Sequence, residues 1–90
     1  MIIKEILFSS KFVAELRRLP QELVALAAKK EKISKANPLH PSLRLHALHG
    51  KLQGLWTISI SGGYRIIFER QANGDILFMS VGKHDIYKNL

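Results

Sequence analysis

Residues 56–70 read WTISISGGYRIIFER, and the organisation of the chain follows from how this stretch is taken. Trp56, Ile58 and Ile60 alternate with Thr57 and Ser59, the two-residue period of a strand with one face buried. Gly62–Gly63 interrupts the pattern as a tight turn, and β-branched and aromatic residues resume at Tyr64. The stretch therefore predicts a β-hairpin. In its second strand Tyr64, Ile66 and Phe68 share one face, while Arg65, Ile67 and Glu69 share the other. A guanidinium is almost never buried unpaired, so Arg65 snorkels to water, pairs with Glu69 or a cross-strand carboxylate, or faces something anionic.

Outward from the hairpin, Asn73–Gly74 marks a second turn. It leads into DILFMSV (75–81), a strand apolar on both faces and hence central, followed by the tail GKHDIYKNL. Towards the N-terminus, residues 38–54 carry two prolines, three histidines, one arginine and one lysine. That composition reads as a loop with room for one turn or a short strand. Before it, PQELVALAAKKEKISKAN (20–37) predicts a helix with an apolar stripe of Leu23, Leu26, Ala27 and Ile33 and a lysine-rich remainder of Lys29, Lys30, Lys32 and Lys35. Pro20 separates it from a shorter helix over residues 10–19, for which Ser9 or Ser10 offers an N-cap hydroxyl and Phe12, Val13, Leu16 and Leu19 an apolar face. Residues 2–8, IIKEILF, complete the pattern as a first strand.

The fold class is thus α+β, in the order β-α-α-β-β-β. Two helices pack on one face of a mostly antiparallel sheet of about four strands, the other face stays partly open, and residues 1–90 form a single domain. At this length a chain buries only about 60–65% of its extended surface, so its stability is modest. No run approaches the roughly 18 apolar residues of a membrane span. Lys4 and Glu5 spoil the N-terminus as a signal peptide, so the expected location is the cytoplasm, with no membrane partner. The chain has no cysteine, which removes disulfides and thiolate metal sites. Fourteen Lys and Arg against seven Asp and Glu leave a net charge of +7, which favours a polyanionic partner such as nucleic acid, a ribosome or an acidic protein.

Taken one at a time the histidines are unremarkable. His40 lies between Leu39 and Pro41 as a loop residue. His46 and His49 are three apart, but no third metal ligand accompanies them, so no metal or other cofactor is expected. His84 follows the last strand. Taken as a set with Arg65 they suit one reaction. Cleavage of RNA by its own 2′-OH needs a base for that hydroxyl, a cation for the charge that builds on the phosphorus, and an acid for the departing 5′-oxygen. Histidine serves both proton transfers and arginine the phosphate.

These residues carry a resemblance. HALHGKLQGLWTISISGGYRIIFE and the ending SVGKHDIY resemble the RelE/ParE superfamily of small bacterial toxins from toxin–antitoxin pairs, and within it the YoeB- and YafQ-like ribosome-dependent mRNA endonucleases. The resemblance implies a RelE-like fold, a cognate antitoxin as partner, and the ribosome and mRNA as targets. It also implies catalytic roles for His46 (general base), Arg65 (scissile phosphate), His84 (general acid) and Tyr87 (orienting or stacking on the substrate). Arg44, Lys51 and Lys83 would add positive charge along the RNA. His49 receives no role, and Trp56, alternating with Ile58 and Ile60, reads as core. The chain departs from RelE itself, which uses arginines and lysines where histidines stand here, so His46 and His84 are interchangeable as base and acid. A ParE-like gyrase inhibitor of the same fold, which needs neither histidine, is the alternative, and an inactive antitoxin-binding protein is a third.

Overall fold

The computed structural model of the chain describes residues 3–89, with the side chains of His84 and Asn89 outside that description. Its elements run β1 (Ile6–Phe8), α1 (Ser10–Arg17), α2 (Gln21–Ala36), β2 (His46–Ala47), β3 (Leu55–Ser61), β4 (Tyr64–Arg70) and β5 (Ile76–Gly82). Short 3₁₀ segments occupy Pro41–Leu43, Gly50–Leu52 and His84–Asn89. The strands form one five-stranded sheet in the order β1-β5-β4-β3-β2. All neighbours are antiparallel except β1, which runs parallel to β5. The α+β class and the helix–sheet arrangement agree with the sequence reading, with two differences. The sheet has five strands rather than about four, the fifth being β2 within the segment read as a loop with room for a short strand. Within the described residues 3–8 β1 covers only Ile6–Phe8, Ile2 lying outside the described residues.

Local chemistry accounts for the boundaries. The Ser9 side chain accepts the Phe12 N–H at 3.0 Å and starts α1, while its hydroxyl donates to the Met79 carbonyl at 3.0 Å and ties the helix to β5. Pro20 lacks an N–H but keeps a carbonyl, which receives the amides of Leu23 and Val24 and opens α2. The β3–β4 turn is closed by Gly62 at φ 54°, a left-handed conformation open to glycine at little cost.

The helices cover one face of the sheet. Phe12 of α1 and Ala27 of α2 are buried with Ile58, Ile60, Ile66, Phe68, Ile76, Phe78 and Val81, and Trp56 packs half-buried against them, as its alternation implied. Phe8, Phe12, Phe68 and Phe78 form a chain of rings at centroid separations of 5.4 to 6.2 Å. Such ring pairs contribute about 0.5–1.5 kcal/mol beyond their area burial.

The edge of β5 beyond the short β1 strand is met by a side chain. Glu15 of α1 accepts from Ser80 Oγ at 2.7 Å and from the Val81 amide at 3.2 Å. That leaves these edge donors satisfied and gives an added strand no purchase there.

The face opposite the helices is more enclosed than the sequence implies. Thr57, Ile67 and Ser80 lie in one cross-strand row and are all but inaccessible. At the Gly82 end of this face the tail turns back. The built position of a Cβ on Gly82 falls 2.6 Å from Ile86 Cγ2, and Ile86 is buried.

Candidate nucleic-acid site

Arg65 projects on the face away from the helices, two residues before the buried Ile67. It is flanked by Ser59 on β3 and Gly82 on β5 as direct cross-strand partners. It is half-buried. Among the described residues no carboxylate or other acceptor meets its guanidinium, and Glu69, the carboxylate nearest in sequence, instead accepts from Gln71 Nε2 at 2.9 Å. The ion-pair reading of Arg65 is therefore not realised. Arg65 lines a recess of about 40 Å³ together with Arg44, Thr57, Ser59 and Gly62, room for a few water-sized groups. Two arginines and two hydroxyl residues line it, and guanidiniums and hydroxyls are donors that an anion's oxygens accept from.

Arg44 reaches the recess by an unusual backbone. Leu43 is fully buried and Leu45 packs against the same core, so the residue between them must turn outward. Arg44 does so at φ 48°, ψ 49°, its amide donating to the Pro41 carbonyl at 3.2 Å. A left-handed conformation costs a non-glycine residue about 1–2 kcal/mol.

His46 stands on the same face. It pairs with Thr57 across the β2–β3 ladder, and Thr57 in turn pairs with Ile67, so His46 is two strands and one alternation away from Arg65. Ladder spacings put their Cα atoms about 12 Å apart. The His46 ring is exposed and meets that of His49 at 6.3 Å between centroids, at right angles. His49, given no role by the sequence, is thus its neighbour. His40 serves the loop, its Nδ1 accepting from the amide and hydroxyl of Ser42.

The tail approaches from the other flank. Gly82 is Arg65's partner, and the 3₁₀ segment beginning at His84 follows after one intervening residue, Lys83. Tyr87 is half-buried in it, whereas the His84 side chain lies outside the described residues. Lys83 is exposed, its Nζ 5.2 Å from the centre of the Tyr64 ring, a cation–π contact that holds a positive charge beside the start of β4. Lys51 is exposed at the Leu55 end of β3, the end away from Gly62 and the recess. The structure thus brings Arg44 and Arg65 to one recess, sets His46 on the same face, holds Lys83 over Tyr64, and leaves Lys51 apart. Thr57 and Ser59 were missed by the sequence reading. Their signal was the two-residue hairpin, whose register sets β3 hydroxyls beside the odd-numbered residues of β4. Among the described residues no three His, Asp or Glu side chains gather as metal ligands, and no helix is long and apolar enough to cross a membrane.

This architecture has known counterparts. The chain superposes on the Mycobacterium tuberculosis RelBE2 toxin–antitoxin complex with a TM-score of 0.76 at 16% identity, covering 92% of this chain and 100% of the other. It superposes on a YoeB/ParE toxin from Agrobacterium tumefaciens with a TM-score of 0.76 at 13% identity, over 90% and 99% of the two chains. For the RelB–RelE complex of Methanococcus jannaschii the TM-score is 0.73 at 24% identity, over 93% and 98%. No family model and no curated protein matches the sequence. At these identities the likeness defines a fold alone: the chain has a RelE-like fold.

Proposed function

We propose that this protein is the toxin of a toxin–antitoxin pair and acts as a ribosome-dependent mRNA endonuclease. The observation that carries the reading is the Arg44–Arg65 recess. A half-buried arginine without a carboxylate partner among the described residues, lining a recess with a second arginine and two hydroxyl residues, is a site that suits a phosphate. Arg65 binds the scissile phosphate and neutralises the charge developing on it. His46 and His84 exchange protons with the 2′-OH and the 5′-oxygen, in either assignment, and Tyr87 orients the nucleotide. Arg44 and Lys83 hold the RNA backbone beside the recess, and Lys51 adds charge further along the face. The net charge of +7 suits docking on ribosomal RNA in the cytoplasm. The antitoxin, an acidic or amphipathic chain, masks this surface, and the solved toxin–antitoxin complexes of the same fold support such a partner.

The test is a defined translation reaction containing purified protein, run beside a DNA gyrase supercoiling assay. Message cleaved only when ribosomes are present, with supercoiling unaffected, is the expected result. Intact message with inhibited supercoiling would establish the gyrase-inhibitor alternative.

A further inference from the structure

The tail that carries His84 and Tyr87 is a short 3₁₀ segment of the kind that seldom holds its place by its own hydrogen bonds. Its backbone link to the preceding residue is a single turn, the Ile86 amide donating to the Lys83 carbonyl at 3.0 Å. Ile86 adds an apolar anchor. Ile86 is 5% exposed, while Asp85 and Lys88 are exposed. Ile86 Cγ2 occupies the space a side chain at Gly82 would take. Gly82 is the cross-strand partner of Arg65, and partners on adjacent strands project to the same face. Ile86 therefore seats beside Arg65, on the face away from the helices, in room that exists because residue 82 has no side chain.

We propose that Gly82 and Ile86 are positioning residues for the reaction, a socket and its plug that fix the tail over the Arg65 end of the sheet. The proposal rests on the endonuclease reading above. Neither residue touches RNA. Their fit sets where Tyr87 stands relative to the phosphate held by Arg65. A methyl group on Gly82 would lie far inside contact distance of Ile86 Cγ2, so the strand and the tail could not both keep their positions, and the short tail segment is the part that yields.

The test uses the full chain as wild type, Gly82→Ala, Ile86→Ala and the double variant. In NMR spectra of the wild type, the Ile86 γ2 methyl shows a nuclear Overhauser contact to the Gly82 α protons. In Gly82→Ala that methyl and the amides of residues 84–88 shift, while the β3 and β4 amides stay in place. In the translation reaction Gly82→Ala lowers kcat by roughly ten- to a hundredfold, as small misplacements of reacting groups do. KM for ribosomes changes by no more than about twofold, because ribosome docking does not use the socket. Removing Cγ2 in the double variant restores part of kcat, a rescue that a general loss of stability would not produce. An unshifted tail in Gly82→Ala, or full cleavage by a variant whose tail has shifted, would overturn the proposal. A wild type that cleaves nothing would overturn the functional reading instead, and the spectra would still decide the socket.

Discussion

Arg44 and Arg65 open on the same recess from different elements, one from a left-handed loop residue and one from the middle of β4. Both arginines reach the recess because the fold around each of them dictates it. Leu43 and Leu45 anchor the loop on either side of Arg44, while Ile66 and Ile67, both fully buried, fix β4 beyond Arg65. In the proposed function, an anion in the recess would be drawn by both charges.

Arg65→Ala should abolish cleavage without harming the fold. Loss of an electrostatic donor aimed at a transition-state charge lowers kcat by about 10²–10³. No carboxylate is orphaned among the described residues, so the melting temperature should hold within a few degrees. Arg65→Lys should retain a fraction of the activity, since an ammonium supplies the charge but not the planar fork. Single-turnover cleavage alongside thermal melting measures both.

Arg44→Gly should separate stability from function. Glycine removes the side-chain penalty of the left-handed backbone, worth about 1 kcal/mol, so the variant should unfold at slightly higher denaturant. Its RNA affinity should fall and become less steeply salt-dependent, because one phosphate contact is gone. Urea unfolding and RNA binding at several salt concentrations would show the two effects moving in opposite directions.

Glu15→Ala should destabilise the fold by about 1–3 kcal/mol by stripping Ser80 Oγ and the Val81 amide of their acceptor. Glu15→Gln, which keeps a side-chain oxygen, should lose less. Urea titration of the three proteins gives the order directly. An alanine variant as stable as the wild type would mean that water replaces the carboxylate at the β5 edge.

Phe78→Ala should be far more damaging. Phe78 joins Phe8, Phe12 and Phe68 and is almost fully buried, and large-to-small changes at such positions cost about 3–5 kcal/mol. That approaches the whole stability of a small domain, so little soluble protein is expected on expression.

How far the sequence could be read follows from the length of each pattern. The β3–β4 hairpin shows a two-residue period over both arms, so the hairpin itself, the core role of Trp56 and the outward direction of Arg65 were legible, whereas the register shift between Ser59 and Ser61 was not. The α2 stripe was legible for the same reason, and of its four lysines only Lys30 is drawn in, its Nζ donating to the Ser42 carbonyl at 3.2 Å. A two-residue strand has no period, which is why the sequence allowed a short strand among residues 38–54 but could not place β2 at His46–Ala47. The parallel pairing of β1 with β5 joins segments separated by most of the chain and leaves no local mark. The socket at Gly82 was equally invisible, because the tail that fills it is too short to show a buried face. Arg44 could be read only as a charge, since its left-handed backbone is imposed by the two leucines that flank it.

The most direct test of the central claim maps mRNA 5′ ends in a defined translation reaction containing wild type, Arg65→Ala or His84→Ala. Cuts in phase with codons that require ribosomes and disappear in both variants are the predicted result. Codon-phased cuts of undiminished strength in Arg65→Ala would contradict it, because the phosphate would then be held by something other than the recess.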